Sequence, residues 1–185
     1  IVVDNNSTDS SMRIAKKYPF VKILSEPRQH QSFAQYKGFE AAKGDIIGRI
    51  DADTILPKNW CEKLLSSFAS SPDILAVTGS GKPYDFTLKK PAKFILDKYY
   101  IIAYRLAGHT MMWGSNCAFR KEAWGKIKND LKPATDIWED YDLAFCIGKH
   151  GRIVLRDDIE VTTSFRAVHK PIWFQMKYQF RAVKT

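Results

Sequence analysis

The segment AAKGDIIGRIDADT, residues 41–54, contains a short apolar run that ends in two closely spaced carboxylates. Residues 46–50 are rich in isoleucine, which is typical of a buried β-strand. Asp51 and Asp53 follow this run directly. Open α/β sheets bind ligands at the carboxyl ends of their strands. The segment therefore predicts an α/β sheet with an acidic ligand site at the end of this strand.

Short apolar runs and amphipathic stretches alternate along the first half of the chain. This alternation predicts βαβ units and therefore a mainly parallel, Rossmann-like sheet that is flanked by helices. The predicted strands are residues 1–3, 21–24, 46–50 and 74–78, and the predicted helices are residues 10–18, 31–43 and 58–70.

The pattern is less regular after Gly79. It predicts helices at residues 92–106, 122–127 and 139–149, and strands at residues 111–120, 152–155 and 159–163. Because no repeat or linker divides the chain, we expect one domain over residues 1–185. Its parts are a first half at residues 1–80, a second half at 81–166 and an aromatic, basic helix at 167–185.

The composition is that of a globular protein with an anionic partner. The 185 residues are 45% hydrophobic, enough for a real core, and 29 basic against 20 acidic side chains give a net charge of +9. That charge favours a phosphate-bearing ligand, a membrane surface or nucleic acid. No apolar run approaches the ~20 residues that span a bilayer. We expect a cytoplasmic protein, with the inner face of the membrane as an alternative.

Carboxylates at two predicted strand ends are candidate ligands. Asp51 and Asp53, one residue apart in a turn, could both bind Mg²⁺ or Mn²⁺, which take carboxylates together with phosphate oxygens. The same tripeptide also fits a solvated turn. Asp4 ends the first predicted strand and is followed by polar residues 5–9, which fit either a ligand loop or a helix cap.

Glu139 and Asp140 open the predicted helix at residues 139–149. Acidic residues in a first turn complement the helix dipole. A carboxylate that faces a pocket could instead act as a general base and accept the proton of an attacking hydroxyl. The helix pattern alone leaves both interpretations open.

Four motifs along the chain resemble those of the family 2 glycosyltransferases, which have the GT-A fold. They are IVVDNNSTD, AAKGDIIGRIDADT, MWGSNCAFRKEAW and WEDYDLAFCIGKHGRIVL, in the family's order, and the resemblance extends from Ile1 to about Arg166. It implies a metal-dependent inverting transferase that moves a sugar from a nucleoside-diphosphate sugar, with UDP favoured, to a glycan or lipid-linked hydroxyl acceptor. It also implies the cofactor, Mg²⁺ or Mn²⁺.

The resemblance assigns roles to individual residues. It places Asp4, with Asn6 in the same loop, on the nucleoside, Asp51 on the ribose and the metal, and Asp53 on the metal. The segment Gly114-Ser115-Asn116 is similar to the one that shapes the donor-sugar and acceptor pocket. Asp140 is implied as the catalytic base, with Glu139 as the alternative.

Two features at the ends of the chain complete these expectations. His169 follows the last predicted strand, where some GT-A enzymes supply a third metal ligand, and the aromatic, basic residues 170–184 fit either a packing helix or a helix at a membrane surface. The family's first strand and helix have no counterpart here. We therefore expect roughly one further βα unit, ~30–40 residues, ahead of Ile1.

Two other functions share part of this evidence. A nucleotidyltransferase would use a similar sheet, nucleotide and carboxylate-bound metal, and a basic nucleic-acid-binding module would explain the charge of +9. The acidic residues Asp4, Asp51 and Asp53 argue against the binding module. We therefore expect no specific nucleic-acid partner.

Overall fold

A computed structural model describes residues 1–85, 110–131 and 138–166. The elements up to residue 83 are β1 (Val2–Asp4), α1 (Ser11–Ala15), β2 (Ile23–Ser25), α2 (Gln31–Ala41), β3 (Ile46–Arg49), α3 (Trp60–Ser70) and β4 (Ile74–Pro83). Those that follow are β5 (Cys117–Arg120), α4 (Lys121–Ile127), α5 (Glu139–Gly148) and β6 (Arg152–Thr163).

The central sheet has four strands in the order β3-β5-β4-β6. Strands β4 and β6 are parallel, whereas β5 is antiparallel to both of its neighbours, so β3, β4 and β6 all run in one direction. Strands β1 and β2 pair in parallel as a separate two-stranded sheet. The predicted α/β class is confirmed, with β5 as the one reversed strand among the described residues.

The sheet is covered on both faces, as the alternation of side chains along its strands requires. Neighbouring residues of one strand belong to different core clusters: Ile74 packs with Trp60, Leu64 and Phe68 of α3, whereas Leu75 packs with residues of α2, α4 and α5. The same division separates Ala118 from Phe119 in β5. Helix α3 therefore lies on one face of the central sheet, and helices α2, α4 and α5 lie on the opposite face.

Most predicted elements are present, and the differences have local causes. The strand predicted at residues 111–120 starts only at Cys117, because a turn precedes it in which the Asn116 N–H donates to the Trp113 carbonyl at 2.9 Å. The strands predicted at 152–155 and 159–163 are one strand, β6, whose pairing with β4 shifts in register between Gly79 and Ser80. The helices predicted at 92–106 and 167–185 lie outside the described residues. In the part of the chain that is described, no helix is long and apolar enough to cross a membrane.

Asn116 links the central strands to helix α3. Its side chain is fully buried, accepts a hydrogen bond from Trp60 Nε1 at 2.8 Å and donates to the carbonyls of Ser80 and Ile159 at 2.9 and 2.8 Å. These bonds join α3, β4 and β6 to the start of β5. The amide thus fixes the turn that enters β5.

We expect Asn116→Ala to lower the free energy of unfolding by about 2–5 kcal/mol, because one indole N–H and two carbonyls would remain buried without partners. Urea denaturation measures the loss. Asn59→Ala is a matched control, since Asn59 is exposed and its side chain makes no capping hydrogen bond. Equal stability of the two variants would contradict this role.

Candidate active site

Residues from three parts of the chain meet at the edge of the central sheet where β3 ends. Strand β3 ends at Arg49 and leads directly to Asp51. The turn at residues 113–116 enters β5 beside it, and the first turn of α5 supplies Glu139 and Asp140. The acidic residues predicted after β3 and in α5 therefore lie at the same edge of the sheet.

Asp51 is partly exposed and has two partners. Its Oδ1 lies 3.2 Å from Nη2 of Arg49, and its Oδ2 accepts a hydrogen bond from the Ser115 hydroxyl. The Asp51 side chain is 42% exposed. Since each carboxylate oxygen has about two lone pairs, both oxygens keep the capacity to bind a further group.

Asp140 faces Asp51 across the Arg49 side chain. Its Oδ1 lies 2.8 Å from Nη1 of Arg49, and its Oδ2 accepts the Gly114 N–H at 3.0 Å. Burial raises the pKa of Asp140 above the usual range, and the Asp51 carboxylate adds to this rise while Arg49 opposes it. A carboxylate with a raised pKa is a stronger base once it has lost its proton.

Glu139 has a different environment from its neighbour. It is buried and accepts hydrogen bonds from the side-chain amides of Gln31 and Gln35 in α2. Burial is the main cause that raises the pKa of Glu139, and the Asp140 carboxylate contributes. These contacts direct Glu139 toward α2, whereas Asp140 contacts the groups around Asp51.

Asp53 contacts the end of β6. Its Oδ1 accepts a hydrogen bond from the Thr163 hydroxyl at 3.2 Å, and its Oδ2 lies 3.3 Å from Nη2 of the exposed Arg166. Backbone hydrogen bonds between Ile55 and Thr162 hold the two segments together. A cationic group therefore already lies beside this carboxylate.

Asp51 and Asp53 have the donor chemistry of a Mg²⁺ or Mn²⁺ site that substrate phosphates complete. Both are carboxylates at the end of one strand and both are partly exposed. Across residues 1–85, 110–131 and 138–166, no three histidine, cysteine or acidic side chains are grouped to hold a metal alone. A cation held by these two carboxylates would need further ligands, which phosphate oxygens usually supply for these ions. His169 lies outside the described residues.

The loop after β1 is held by its own side chains. Asp4 Oδ1 accepts the Ser7 N–H at 3.0 Å. Hydrogen bonding by Ser7, first through its side chain and then through its backbone, lowers the pKa of Asp4. Asn6 has a positive φ of 62° and donates its side-chain amide to the Pro27 carbonyl at 2.8 Å. Asn6 thus ties this loop to the segment after β2.

The three residues of the predicted pocket segment, Gly114-Ser115-Asn116, have different partners. Gly114 contacts Asp140 and Ser115 contacts Asp51 through the bonds described above. The side-chain amide of Asn116 is fully buried and bonds to Trp60 and to the carbonyls of Ser80 and Ile159. Asn116 therefore supports the segment through a side chain that does not itself face the site.

Sequence reasoning missed Arg49, Thr163 and Arg166. Arg49 could have been found, because a charged residue within an apolar strand needs a buried partner of opposite charge. Thr163 and Arg166 carry no such signal, since their contact with Asp53 depends on the path of β6.

The family model for glycosyl transferase family 2 matches residues 1–127. Two curated relatives show the range of similarity. The glucosyl-dolichyl phosphate glucuronosyltransferase of Haloferax volcanii is 30% identical over 103 residues, which are 52% of this chain and 33% of that protein. The succinoglycan biosynthesis protein ExoA of Rhizobium meliloti is 27% identical over 191 residues, covering 95% of this chain and 56% of that protein. The chain thus spans between about a third and just over half of the length of these two relatives.

Two solved structures have the same fold. The mannosyltransferase PcManGT of Pyrobaculum calidifontis, in complex with GDP-Man and Mn²⁺, has a TM-score of 0.61 at 20% identity, over 88% of this chain and 46% of that one. Glucosyl-3-phosphoglycerate synthase of Mycobacterium tuberculosis, in complex with phosphoglyceric acid, has a TM-score of 0.65 at 14% identity. The match covers 97% of this chain and 65% of that one. The family match and these folds agree with the resemblance of the four motifs. This chain belongs to glycosyl transferase family 2 and has the GT-A fold.

Proposed function

We propose that this chain is the catalytic domain of an inverting glycosyltransferase, which moves a sugar from a nucleoside-diphosphate sugar to a hydroxyl acceptor. The observation that carries the proposal is the meeting of Asp51 and Asp140 on one guanidinium, Arg49. Asp51, at the end of a strand, suits contact with the nucleoside-diphosphate sugar. Asp140, on the other side of the guanidinium, suits contact with the acceptor hydroxyl. The family match favours this function over nucleotidyl transfer and over nucleic-acid binding.

On the donor side, Asp4 and Asn6 would contact the nucleoside, and Asp51 and Asp53 would hold Mg²⁺ or Mn²⁺. The bound metal would neutralise charge on the departing diphosphate. His169 is proposed as a third ligand. UDP is the favoured nucleotide, although one related structure holds GDP-Man and another of the same fold holds UDP-Glc, each with Mn²⁺.

On the acceptor side, Asp140 would accept the proton of the attacking hydroxyl. The hydroxyl oxygen forms a bond to the anomeric carbon while the bond from that carbon to the diphosphate oxygen breaks. Attack from the face opposite the leaving group inverts the anomeric centre. Gly114, Ser115 and Asn116 would shape the sugar pocket, where the glycine allows close approach. Glu139 is the alternative base.

The acceptor class is proposed from the relatives. One is named as acting on glucosyl-dolichyl phosphate and another as a protein of succinoglycan biosynthesis. We propose a glycan or lipid-linked acceptor, used on the cytoplasmic side with a peripheral contact to the inner face of the membrane.

Asp53→Ala should abolish metal-dependent nucleotide binding, because one of the two carboxylates proposed to hold the cation is lost. Calorimetry of UDP and other nucleoside diphosphates, with Mn²⁺ or with chelator, measures this dependence. Asp45→Ala is the control: Asp45 is exposed and precedes the opposite end of the same strand. Wild-type affinity that is equal with and without chelator would contradict the metal role.

Asp140→Asn should lower kcat by ~10²–10⁴, the usual contribution of a general base, and should change nucleotide affinity little. The asparagine oxygen can accept from only one of the Gly114 N–H and Arg49 Nη1, so a thermal melt must show that the variant is folded. Steady-state transfer assays and calorimetry separate the two effects. If Glu139→Gln is inactive while Asp140→Asn keeps its activity, Glu139 is the base.

The pH profile of kcat/KM should have an acid limb above the ordinary aspartate value of 3.8, because the base works only when deprotonated and burial raises the pKa of Asp140. Activity should therefore rise with pH through this limb. The limb should be missing from the residual activity of Asp140→Asn. An unchanged limb in that variant would assign it to another group.

A further inference from the structure

Arg49 is the last residue of β3, and its side chain is only 10% exposed. Its two terminal nitrogens contact different carboxylates, Nη2 that of Asp51 at 3.2 Å and Nη1 that of Asp140 at 2.8 Å. The partners come from segments far apart in the sequence. One side chain therefore sets the relative position of the donor-side and acceptor-side carboxylates.

The guanidinium suits this position for a chemical reason. A buried charge is costly unless it is paired. The Asp140 and Asp51 carboxylates supply the opposite charge to Arg49 as ion pairs, although Nη1 makes no hydrogen bond of ordinary geometry. The rigid, planar fork of arginine can bind both partners at once, whereas the single ammonium of lysine cannot hold the same geometry.

Gly114 provides the space for this contact. A Cβ atom at residue 114 would lie 1.0 Å from Nη1 of Arg49 and 2.3 Å from Oδ2 of Asp140. Any other residue would therefore displace the guanidinium or the carboxylate. The glycine also brings its own N–H to Asp140 at 3.0 Å. Strand β3, the turn before β5 and helix α5 thus converge on one ion-paired group.

We propose that Arg49 is a positioning residue for sugar transfer, whose guanidinium holds the Asp140 carboxylate at a fixed place relative to Asp51 and requires glycine at residue 114. The inference rests on the proposed function and adds to it a residue that joins the donor side to the base. A purely structural ion pair would affect the stability of the folded protein and leave the kcat of its folded fraction unchanged.

Arg49→Lys tests this role while keeping a positive charge. We expect kcat to fall by ~10² or more, since displacement of a catalytic group by about 1 Å can have an effect of this size. The affinity for UDP with Mn²⁺ should stay within about tenfold of wild type. Kinetics, calorimetry and a thermal melt of the purified variant measure kcat, binding and folding separately.

Gly114→Ala provides a second test that changes no charge. Its methyl group should displace the guanidinium and lower kcat to a similar degree. An Arg49→Met background removes the contact with Nη1 but leaves the methyl group 2.3 Å from Asp140 Oδ2, so the effect of Gly114→Ala should be smaller there than in wild type without being lost. The double-mutant cycle measures this coupling.

Three results would overturn the inference: a wild-type kcat in folded Arg49→Lys, a parallel loss of kcat and nucleotide affinity, or independent effects of Gly114→Ala and Arg49→Met. A wild-type kcat in folded Arg49→Lys would mean that the ion pairs of Arg49 are purely structural. A parallel loss of kcat and nucleotide affinity would mean that Arg49 acts only on binding of the nucleotide sugar. A wild-type protein that transfers no sugar from any nucleoside-diphosphate sugar would instead refute the proposed function, and the inference with it.

Discussion

The site depends on the reversed direction of one strand. Because β5 is antiparallel to β3 and β4, it begins where they approach their carboxyl ends: Cys117 pairs with Arg49 on one side and with Thr78 on the other. The turn at residues 113–116 must then lie beyond β3, next to Asp51. Hydrogen bonds of the Thr78 hydroxyl with the Asn116 carbonyl and the Trp113 N–H hold it there. An all-parallel sheet would have placed this turn at the opposite edge.

Electrostatics favours the proposed cation at this edge. Four carboxylates, those of Asp51, Asp53, Glu139 and Asp140, lie in the loops and the helix start around it. Arg49 contacts two of them but carries one positive charge, the glutamine amides of α2 donate to Glu139, and the exposed Arg166 contacts Asp53. A diphosphate entering near Asp51 and Asp53 would still meet negative charge. A divalent ion would remove this repulsion, which supports the proposed metal.

The sequence predicted the parts of the fold that depend on local pattern. The order of strands and helices and the position of Asp51 after β3 follow from apolar runs and turn residues. The antiparallel direction of β5 could not be predicted in this way, because it depends on pairing between strands separated by dozens of residues. The same is true of the contact between Arg49 and Asp140, whose partners are 91 positions apart in the sequence. The helix pattern left two interpretations of Asp140, and its role as the base is a prediction from motif resemblance.

The central claim is that Asp51 and Asp140 form one site in which the acceptor attacks opposite the departing diphosphate. The most direct measurement is the anomeric configuration of the product, determined by NMR immediately after transfer from an α-linked UDP-sugar. The claim predicts a β-linked product, formed at the full rate only when both carboxylates are present. An α-linked product would contradict it, since retention requires a different use of these carboxylates.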